Sequence, residues 1–192
     1  QSAHAAKVLV ELFVMSKCPD AAVCEEVFGA VLEELAPAVN VSFEFIGSEL
    51  HDGSPSCMHG PGECAGDSQQ LCAQREAAGN VKQLLDFVRC QSKNRTEIPE
   101  NGPECFRRAG YSPSQAERCA GSSSAALLES FRRSAERHIG TSCTVVVGGK
   151  EFCVHDGQWT DCQACDAYDS KSTCLREEIC KLAPGACSAQ AP

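Results

Sequence analysis

Fifteen of the 192 residues are cysteine, and this count constrains the fold more than any other feature of the sequence. Cysteine is used this heavily mainly in secreted proteins and in the compartments of the secretory pathway, where disulfides persist. Because fifteen is an odd number, at least one cysteine is free, paired between chains or reversibly paired. The sequence therefore predicts a chain cross-linked by disulfides that leaves one sulfur for another use.

Other local features agree with a secretory route. Asn40 and Asn94 each begin an N-x-[ST] tripeptide, the acceptor pattern for N-glycans. The longest apolar run is far shorter than the ~20 residues that cross a bilayer, and no leader peptide is recognisable. We therefore expect a mature secreted, lysosomal or vacuolar protein that begins at Gln1 and has no membrane span.

The composition limits the size and the partners of the protein. A chain of 192 residues with 43% hydrophobic content can form one domain of ordinary size, or one domain with a sizeable insertion. Its net charge of −9 argues against nucleic acid, which binds basic surfaces. No phosphate-binding glycine loop, Ser-His-Asp order or HExxH motif is present, and we predict no cofactor.

The N-terminal part of the chain predicts a β-α-β unit. Residues 7–14 are apolar and rich in β-branched side chains, which is typical of a buried strand. From Pro19 the apolar residues follow helical spacing, and Pro37 ends that helix. Alternation over residues 39–47 indicates a second strand, parallel to the first and reached by a right-handed crossover.

The sequence then changes character, with six cysteines and many Gly, Pro and Ser residues. One helix is clear over residues 81–90. A shorter helix is predicted after Ser112, with Pro113 in the first position and Gln115 closing a capping box. The apolar content looks too small for independent folding. We therefore predict a disulfide-rich, mainly helical insertion over residues 51–122.

Regular structure returns in the C-terminal third. An amphipathic helix is predicted over residues 123–140, then two strands joined at Gly148-Gly149, then a last helix over 172–183. The order β-α-β, insertion, α-β-β-α is typical of the α/β class and of a thioredoxin-like fold. We assign residues 1–50 and 123–192 to this thioredoxin-like core.

Cys18 stands where the first strand gives way to the first helix. There it would be the N-cap, with Pro19 at the first helical position, where the missing N–H costs nothing. The unpaired N–H groups and the dipole of a helix start stabilise a thiolate, which is the species that attacks a disulfide. Lys17 would add to this effect, and Asp20, if near, would oppose it. Cys18 is therefore the candidate nucleophile.

The partner of Cys18 is open, because Ala21 occupies the place of the second cysteine in a C-x-x-C pair. Cys24 lies about 9 Å further along a regular helix, whereas a disulfide needs Cα atoms within about 7 Å. Cys24 can therefore pair with Cys18 only if the first turn unwinds, and otherwise it is a core or structural cysteine. The other candidate is Cys143, which precedes the third strand, where thioredoxin-like folds normally place a cis-proline against the reactive cysteine. Cys18, Cys24 and Cys143 are thus the candidate catalytic residues.

A second C-x-x-C sequence occurs at Cys162 and Cys165. With Cys153 or Cys174 it could form a zinc site. It follows the second strand of the hairpin, however, and does not open a helix after the first strand. In an oxidising compartment we interpret these four cysteines as structural disulfides.

A longer motif resembles that of a known family. The octapeptide CMHGPGEC over residues 57–64, followed by Cys72, resembles the C-x-H-G-x-x-E-C signature of the gamma-interferon-inducible lysosomal thiol reductase (GILT) family. The resemblance continues through FVRC, PECFRRAGYSPSQAERC and CKLAPGAC, and so spans essentially the whole chain. Met58 and Asp67 stand where the family commonly has glutamine and asparagine. His59 could be a metal ligand or an acid–base group, but we interpret it as structural, fixing the tight loop that follows it.

The resemblance implies a thioredoxin-like core with a helical, disulfide-bonded insertion, and reduction of protein disulfides in an acidic compartment. By position, Cys18 matches the first cysteine of the family's C-x-x-C and Ala21 the second, as in a divergent, fungal-like branch with C-P-D-A-x-x-C. The cysteines outside the family pattern are Cys24, Cys143, Cys153, Cys162, Cys165 and Cys174.

Three functions from different classes follow as hypotheses. The main one is a secreted or vacuolar/lysosomal thiol–disulfide oxidoreductase, with Cys18 as nucleophile and Cys24 or Cys143 as resolving thiol. Its substrates would be disulfide-bearing proteins or small thiols. The second is a non-catalytic binding protein that keeps the fold as a disulfide scaffold. The third is a protein that holds a soft ion such as Cu(I) with Cys18, Cys143 and a further thiol or His.

Overall fold

The structure, a computed structural model that describes residues 6–120 and 124–187, is built on a five-stranded sheet. The strands in chain order are β1 (Val8–Val14), β2 (Val39–Phe45), β3 (Ser48–Glu49), β4 (Pro55–Ser56), β5 (Thr144–Val147), β6 (Lys150–His155) and β7 (Trp159–Thr160). The sheet has the order β2-β1-β5-β6-β7, and β3 and β4 form a separate ribbon.

Helices pack around this sheet and fill the long connection between β4 and β5. They are α1 (Pro19–Glu34), α2 (Pro61–Ala77), α3 (Val81–Lys93), α4 (Gly102–Arg108), α5 (Pro113–Ala120), α6 (Ser124–Glu136), α7 (Lys171–Leu182) and α8 (Pro184–Cys187). Helix α1 packs against α3, α7 and β6, and both α2 and α6 pack against β2. Within the described ranges, none of the helices combines the length and the apolar character needed to span a bilayer.

The predicted β-α-β unit is confirmed. Strand β1 runs parallel to β2, with Val8 beside Val39, and antiparallel to β5. Helix α1 connects the first two strands, and its apolar face is buried against the sheet because Cys24, Phe28 and Leu32 recur at helical spacing. Because β1 and β2 are parallel, their C-terminal ends lie at the same end of the sheet, and Cys18 follows the C-terminal end of β1.

The β5–β6 hairpin is also confirmed. Gly148 and Gly149 form its two-residue turn with φ angles of 57° and 83°. Positive φ at both turn residues is the geometry that side chains disfavour and glycine permits, and its twist matches that of the flanking strands. The turn sets the register beside it, and a shift of one residue between Val145 and Val146 then brings Cys143, just before β5, opposite His155 at the end of β6.

The segment between β4 and α6 contains more helix than the sequence pattern predicted. The helices α3 and α5 are found as expected, and the capping box is formed: the Ser112 N–H donates to Gln115 at 2.9 Å, and the Gln115 N–H donates to Ser112 Oγ at 3.3 Å. The prediction of one clear helix and one shorter helix was nevertheless wrong, because α2 and α4 are present too. Helix α2 was not predicted because its buried face carries polar side chains, including Glu63 and Asp67, so its apolar periodicity is weak.

Seven disulfides join fourteen of the fifteen cysteines, all of which lie in the described ranges. Between residues 51 and 122 the cysteines pair only with one another, in the bonds Cys57–Cys64, Cys72–Cys119 and Cys90–Cys105. The remaining bonds are Cys24–Cys143, Cys153–Cys162, Cys165–Cys174 and Cys180–Cys187. The interpretation of the second C-x-x-C sequence as structural is therefore confirmed.

The division into a core of residues 1–50 and 123–192 and an insertion of residues 51–122 stays a prediction. Residues 1–5, 121–123 and 188–192 of that division, including the first residue of the predicted 123–140 helix, lie outside the described residues. Where the chain is described, buried side chains of α3, α4 and α5 belong to the same hydrophobic cluster as those of the sheet.

Candidate functional site

Cys18 is the one cysteine without a disulfide partner, and it forms the N-cap of α1 as predicted. Its backbone is extended, with φ −73° and ψ 131°, and Pro19 occupies the first helical turn. The Cys18 side chain makes no capping hydrogen bond, and it is 8% exposed. The sulfur is thus neither bonded to another sulfur nor used as a cap, and a small part of the residue reaches the surface.

Two oxygens approach the sulfur of Cys18. Asp20 Oδ2 and the carbonyl oxygen of Ser142 each lie 3.7 Å from Cys18 Sγ. Ser142 is held in turn, because its hydroxyl accepts the N–H of Met15 at 3.0 Å. The Ser142–Cys143 peptide bond is cis. The loop before β5 therefore lies against Cys18, as we expected from the fold.

Cys24 and Cys143 are bonded to each other, with Cα atoms 6.5 Å apart. The sequence left both as candidate partners of Cys18, and in the structure neither pairs with it. Cys24 is instead one of the buried residues of α1, from which it ties the helix to the start of β5. The structure thus places all three candidate catalytic residues around one helix start, with two of them in a disulfide.

Asp20 joins the helix start to the end of β6. Its Oδ1 lies 2.5 Å from Nδ1 of His155 and accepts the N–H of Gly157 at 2.8 Å. Partial burial alone would raise the pKa of Asp20, but the hydrogen bonds from Gly157 and His155 outweigh it and hold the pKa below its ordinary value. Asp20 is therefore a carboxylate, and its negative charge faces Cys18.

Two buried carboxyl groups of α2 hold the backbone that leads into Cys18. Glu63 accepts the N–H of Lys17 at 3.2 Å, and Asp67 accepts the N–H of Ser16 at 2.9 Å. Both acidic side chains are fully buried, one helical turn apart. Desolvation raises the pKa of Asp67 well above its usual value. Sequence reasoning missed this role, although Glu63 belongs to the signature motif that it singled out.

The interpretation of His59 as structural agrees with its contacts. Its backbone N–H donates to Glu63 Oε1 at 3.0 Å, and its Nδ1 lies 2.5 Å from Glu63 Oε2. The Cys57–Cys64 disulfide closes the same loop. The signature motif therefore builds a rigid helix start whose Glu63 reaches the Cys18 loop.

Lys17 and Cys143 are both engaged elsewhere. Lys17 Nζ donates to the carbonyl of Ile98 at 3.0 Å. For Cys18 and Cys143 to bind a metal ion together, the Cys24–Cys143 disulfide would first have to be reduced. Among the described residues, no group of three His, Cys, Asp or Glu side chains is arranged to hold a metal ion.

The sheet order, the cysteine at the start of the helix after β1 and the cis peptide bond before β5 define a thioredoxin-like protein. Solved structures agree. DsbA of Mycobacterium tuberculosis covers 98% of this chain and 90% of its own, at 17% identity and a TM-score of 0.63. The reduced disulfide bond oxidoreductase DsbG of the same organism covers 98% and 89%, at 17% identity and a TM-score of 0.62. MdbA of Actinomyces oris, described as a thiol-disulfide oxidoreductase, covers 94% and 82%, at 11% identity and a TM-score of 0.62. At these identities the likeness shows the fold.

The chain belongs to the gamma interferon inducible lysosomal thiol reductase (GILT) family, whose model matches residues 9–109. That match includes Cys18 and the signature motif. GILT-like protein 1 of Drosophila melanogaster is 33% identical over 112 residues, which cover 50% of this chain and 45% of the relative. The chain thus spans less than half the length of this curated relative.

Proposed function

We propose that this protein is a thiol–disulfide oxidoreductase that reduces disulfides through Cys18. The observation that carries the proposal is the state of Cys18: it alone among fifteen cysteines has no disulfide partner, and it stands at the N-cap position of α1 beside the cis peptide bond. A thiol at a helix start is favoured as a thiolate, which is the attacking species in disulfide exchange. The thiol reductase family to which the chain belongs supports the same activity.

The proposed exchange runs through a mixed disulfide. The Cys18 thiolate attacks one sulfur of the substrate disulfide, a new bond forms between these two sulfurs, and the substrate S–S bond breaks. The leaving sulfur departs as a thiolate and takes a proton from solvent. A second sulfur, supplied by a resolving thiolate, then attacks the Cys18 sulfur of the mixed disulfide and releases the other substrate sulfur as a thiolate. A further resolving thiolate attacks the sulfur now bonded to Cys18, which frees the Cys18 thiolate and leaves the two resolving sulfurs joined in a disulfide. Each substrate disulfide that is reduced therefore oxidises one pair of thiols.

A small external thiol is the proposed source of that second sulfur. Cys24 and Cys143, our predicted resolving residues, are bonded to each other and hold no thiol until their disulfide is reduced. A low-molecular-weight thiol needs no such priming step. The participation of Cys24 and Cys143 remains a proposal, in which they act as a pair and only after reduction.

An acidic compartment of the secretory pathway is the proposed location. Seven disulfides require an oxidising environment for their formation. Asn40 and Asn94 are both exposed, so each predicted glycan acceptor is accessible. Burial raises the pKa of Glu25 to about 8 and that of Asp67 well above its usual value. Both buried side chains are therefore most stable as neutral carboxylic acids, and an acidic pH keeps them in that form.

Reduction of insulin with a small thiol as electron donor tests the activity. Cys18→Ser is expected to abolish the reduction, whereas the paired change Cys180→Ser with Cys187→Ser, which removes a disulfide between α7 and α8, is expected to retain it. The double change Cys24→Ser with Cys143→Ser separates the two resolving routes: activity persists if an external thiol resolves the mixed disulfide. Unchanged activity in Cys18→Ser would reject the proposed function.

A further inference from the structure

The Asp20–His155 pair has no role in the exchange described above, yet it reaches the reacting sulfur. Asp20 Oδ2 is 3.7 Å from Cys18 Sγ, and Asp20 Oδ1 is 2.5 Å from His155 Nδ1. Sulfur, carboxylate and imidazole therefore follow one another in an unbroken chain of contacts. From the sequence, Asp20 is predicted only to oppose the thiolate by its charge, and no local pattern points to His155.

The fold holds the imidazole at the far end of this chain. The backbone of His155 exchanges two hydrogen bonds with that of Cys143, at 2.9 and 3.1 Å. The Trp159 ring packs edge-on against the imidazole with centroids 4.7 Å apart, and Phe28 of α1 packs against Trp159. Helix α1, the β5–β6 hairpin and the loop that contains the cis peptide bond thus together position Cys18, Asp20 and His155.

The charge on Asp20 matters because it lies so close to the sulfur. A thiolate at Cys18 and a carboxylate at 3.7 Å repel each other. Even with strong solvent screening, charges this close change a population by about fivefold or more. A protonated His155 places a compensating positive charge against the same carboxylate, whereas a neutral His155 leaves the negative charge unbalanced.

We propose that His155 is a positioning residue that acts through Asp20 to set the thiolate population of Cys18, sustaining its reactivity under acidic conditions. The inference rests on the proposed role of Cys18 as nucleophile. As pH falls, protonation of the thiol lowers the thiolate population, but protonation of His155 adds a positive charge that partly offsets the repulsion between Asp20 and the Cys18 thiolate. The two effects oppose each other, so Cys18 loses less reactivity than an isolated thiol would.

The other charged groups near the helix start are engaged elsewhere. Lys17 Nζ donates to the Ile98 carbonyl, and Glu63 receives the Lys17 N–H and the His59 ring. Asp156, which follows His155, is exposed. Asp20 is therefore the charged side chain in contact with the Cys18 sulfur.

The rate of Cys18 alkylation by iodoacetamide tests the inference without any substrate. The full chain is labelled without reductant between pH 5 and pH 9, and labelled Cys18 is quantified by mass spectrometry. At pH 6, Asp20→Asn is expected to speed labelling about fivefold or more because it removes the repelling charge. His155→Gln is expected to slow labelling at the acid end of the range, by a smaller factor because the imidazole reaches Cys18 only through Asp20, and to approach the unmodified protein at the alkaline end, where imidazole is neutral. Asp156→Asn, which removes a neighbouring exposed carboxylate, is the matched control. It should leave the rate of Cys18 labelling unchanged at every pH.

Two further readings establish whether His155 acts through Asp20. In the Asp20→Asn background, His155→Gln should have a smaller effect than it has alone. The unmodified protein should show labelling that rises with pH less steeply than for a simple thiol between pH 5 and 7, a result that requires no variant. A simple single titration curve, or equal rates in Asp20→Asn and the unmodified protein, would overturn the inference. Neither result touches the proposed function, which fails only if Cys18→Ser still reduces insulin.

Discussion

The buried carboxyl group of Glu25 should make this protein more stable in acid than at neutral pH. Glu25 follows Cys24 on α1 and is fully buried; Ser92 donates to its Oε2, while Oε1 has no hydrogen-bond partner. Desolvation raises its pKa from 4.5 to about 8, partly offset by Ser92 and the charge of Arg89. Because the folded pKa is the higher one, the stabilisation is complete below the unfolded value and is lost as pH rises through about 8.

The size of the effect follows from the two pKa values. Each pH unit above the unfolded pKa costs about 1.4 kcal/mol until the folded pKa is reached. Ionisation of Glu25 in the unfolded chain, where its pKa is ordinary, therefore lowers the free energy of unfolding by about 3 kcal/mol by pH 7. Glu25→Gln keeps the shape and the acceptor for Ser92 but cannot ionise. The variant should match the native chain near pH 4.5 and be more stable by up to about 3 kcal/mol at pH 7.

Guanidinium unfolding followed by circular dichroism at pH 4.5 and pH 7, without reductant, measures this difference. Glu136→Gln is the matched control, because this exposed carboxylate lies on another helix, α6. It should leave the pH dependence unchanged. If Glu25→Gln and the native chain lose the same stability between the two pH values, the argument from burial is refuted.

Two further predictions concern α2. Asp67→Asn should fold normally, because the amide oxygen can still accept the Ser16 N–H, whereas Asp67→Ala should lower the unfolding free energy by about 1–3 kcal/mol by leaving that buried donor unsatisfied; equal stabilities in denaturant titrations would contradict this. Gly66→Ala should destabilise by about 1–3 kcal/mol, because a Cβ there would lie 2.2 Å from Ile98 Cγ2. Gly140→Ala, where a Cβ has nothing within 4 Å, should change the melting temperature little; similar shifts in both glycine variants would count against the packing argument.

The features that sequence predicted are those with a local cause. Cys18 at the helix start, the Gly148-Gly149 turn and the Ser112–Gln115 capping box each depend on neighbouring residues, and each is confirmed. Their signals are short-range: proline at the first helical position, paired glycines, and a serine three residues before a glutamine.

The features that sequence did not predict depend on contacts between distant residues. Cys24 and Cys143 are 119 positions apart, and no spacing rule connects them. Glu63 and Asp67 of α2 accept hydrogen bonds from the backbone before Cys18. Because these buried side chains are polar, α2 lacks the apolar periodicity by which a helix is predicted from sequence. The contact of Asp20 with His155 likewise needs the hairpin to be folded.

Peptide mapping of the native chain without reduction tests the central claim most directly. The protein is alkylated under native conditions and digested with pepsin in acid, which suppresses disulfide exchange because thiols stay protonated. Our account predicts the label on Cys18 and a cross-linked peptide pair containing Cys24 and Cys143. An unlabelled Cys18 joined to another cysteine would contradict it.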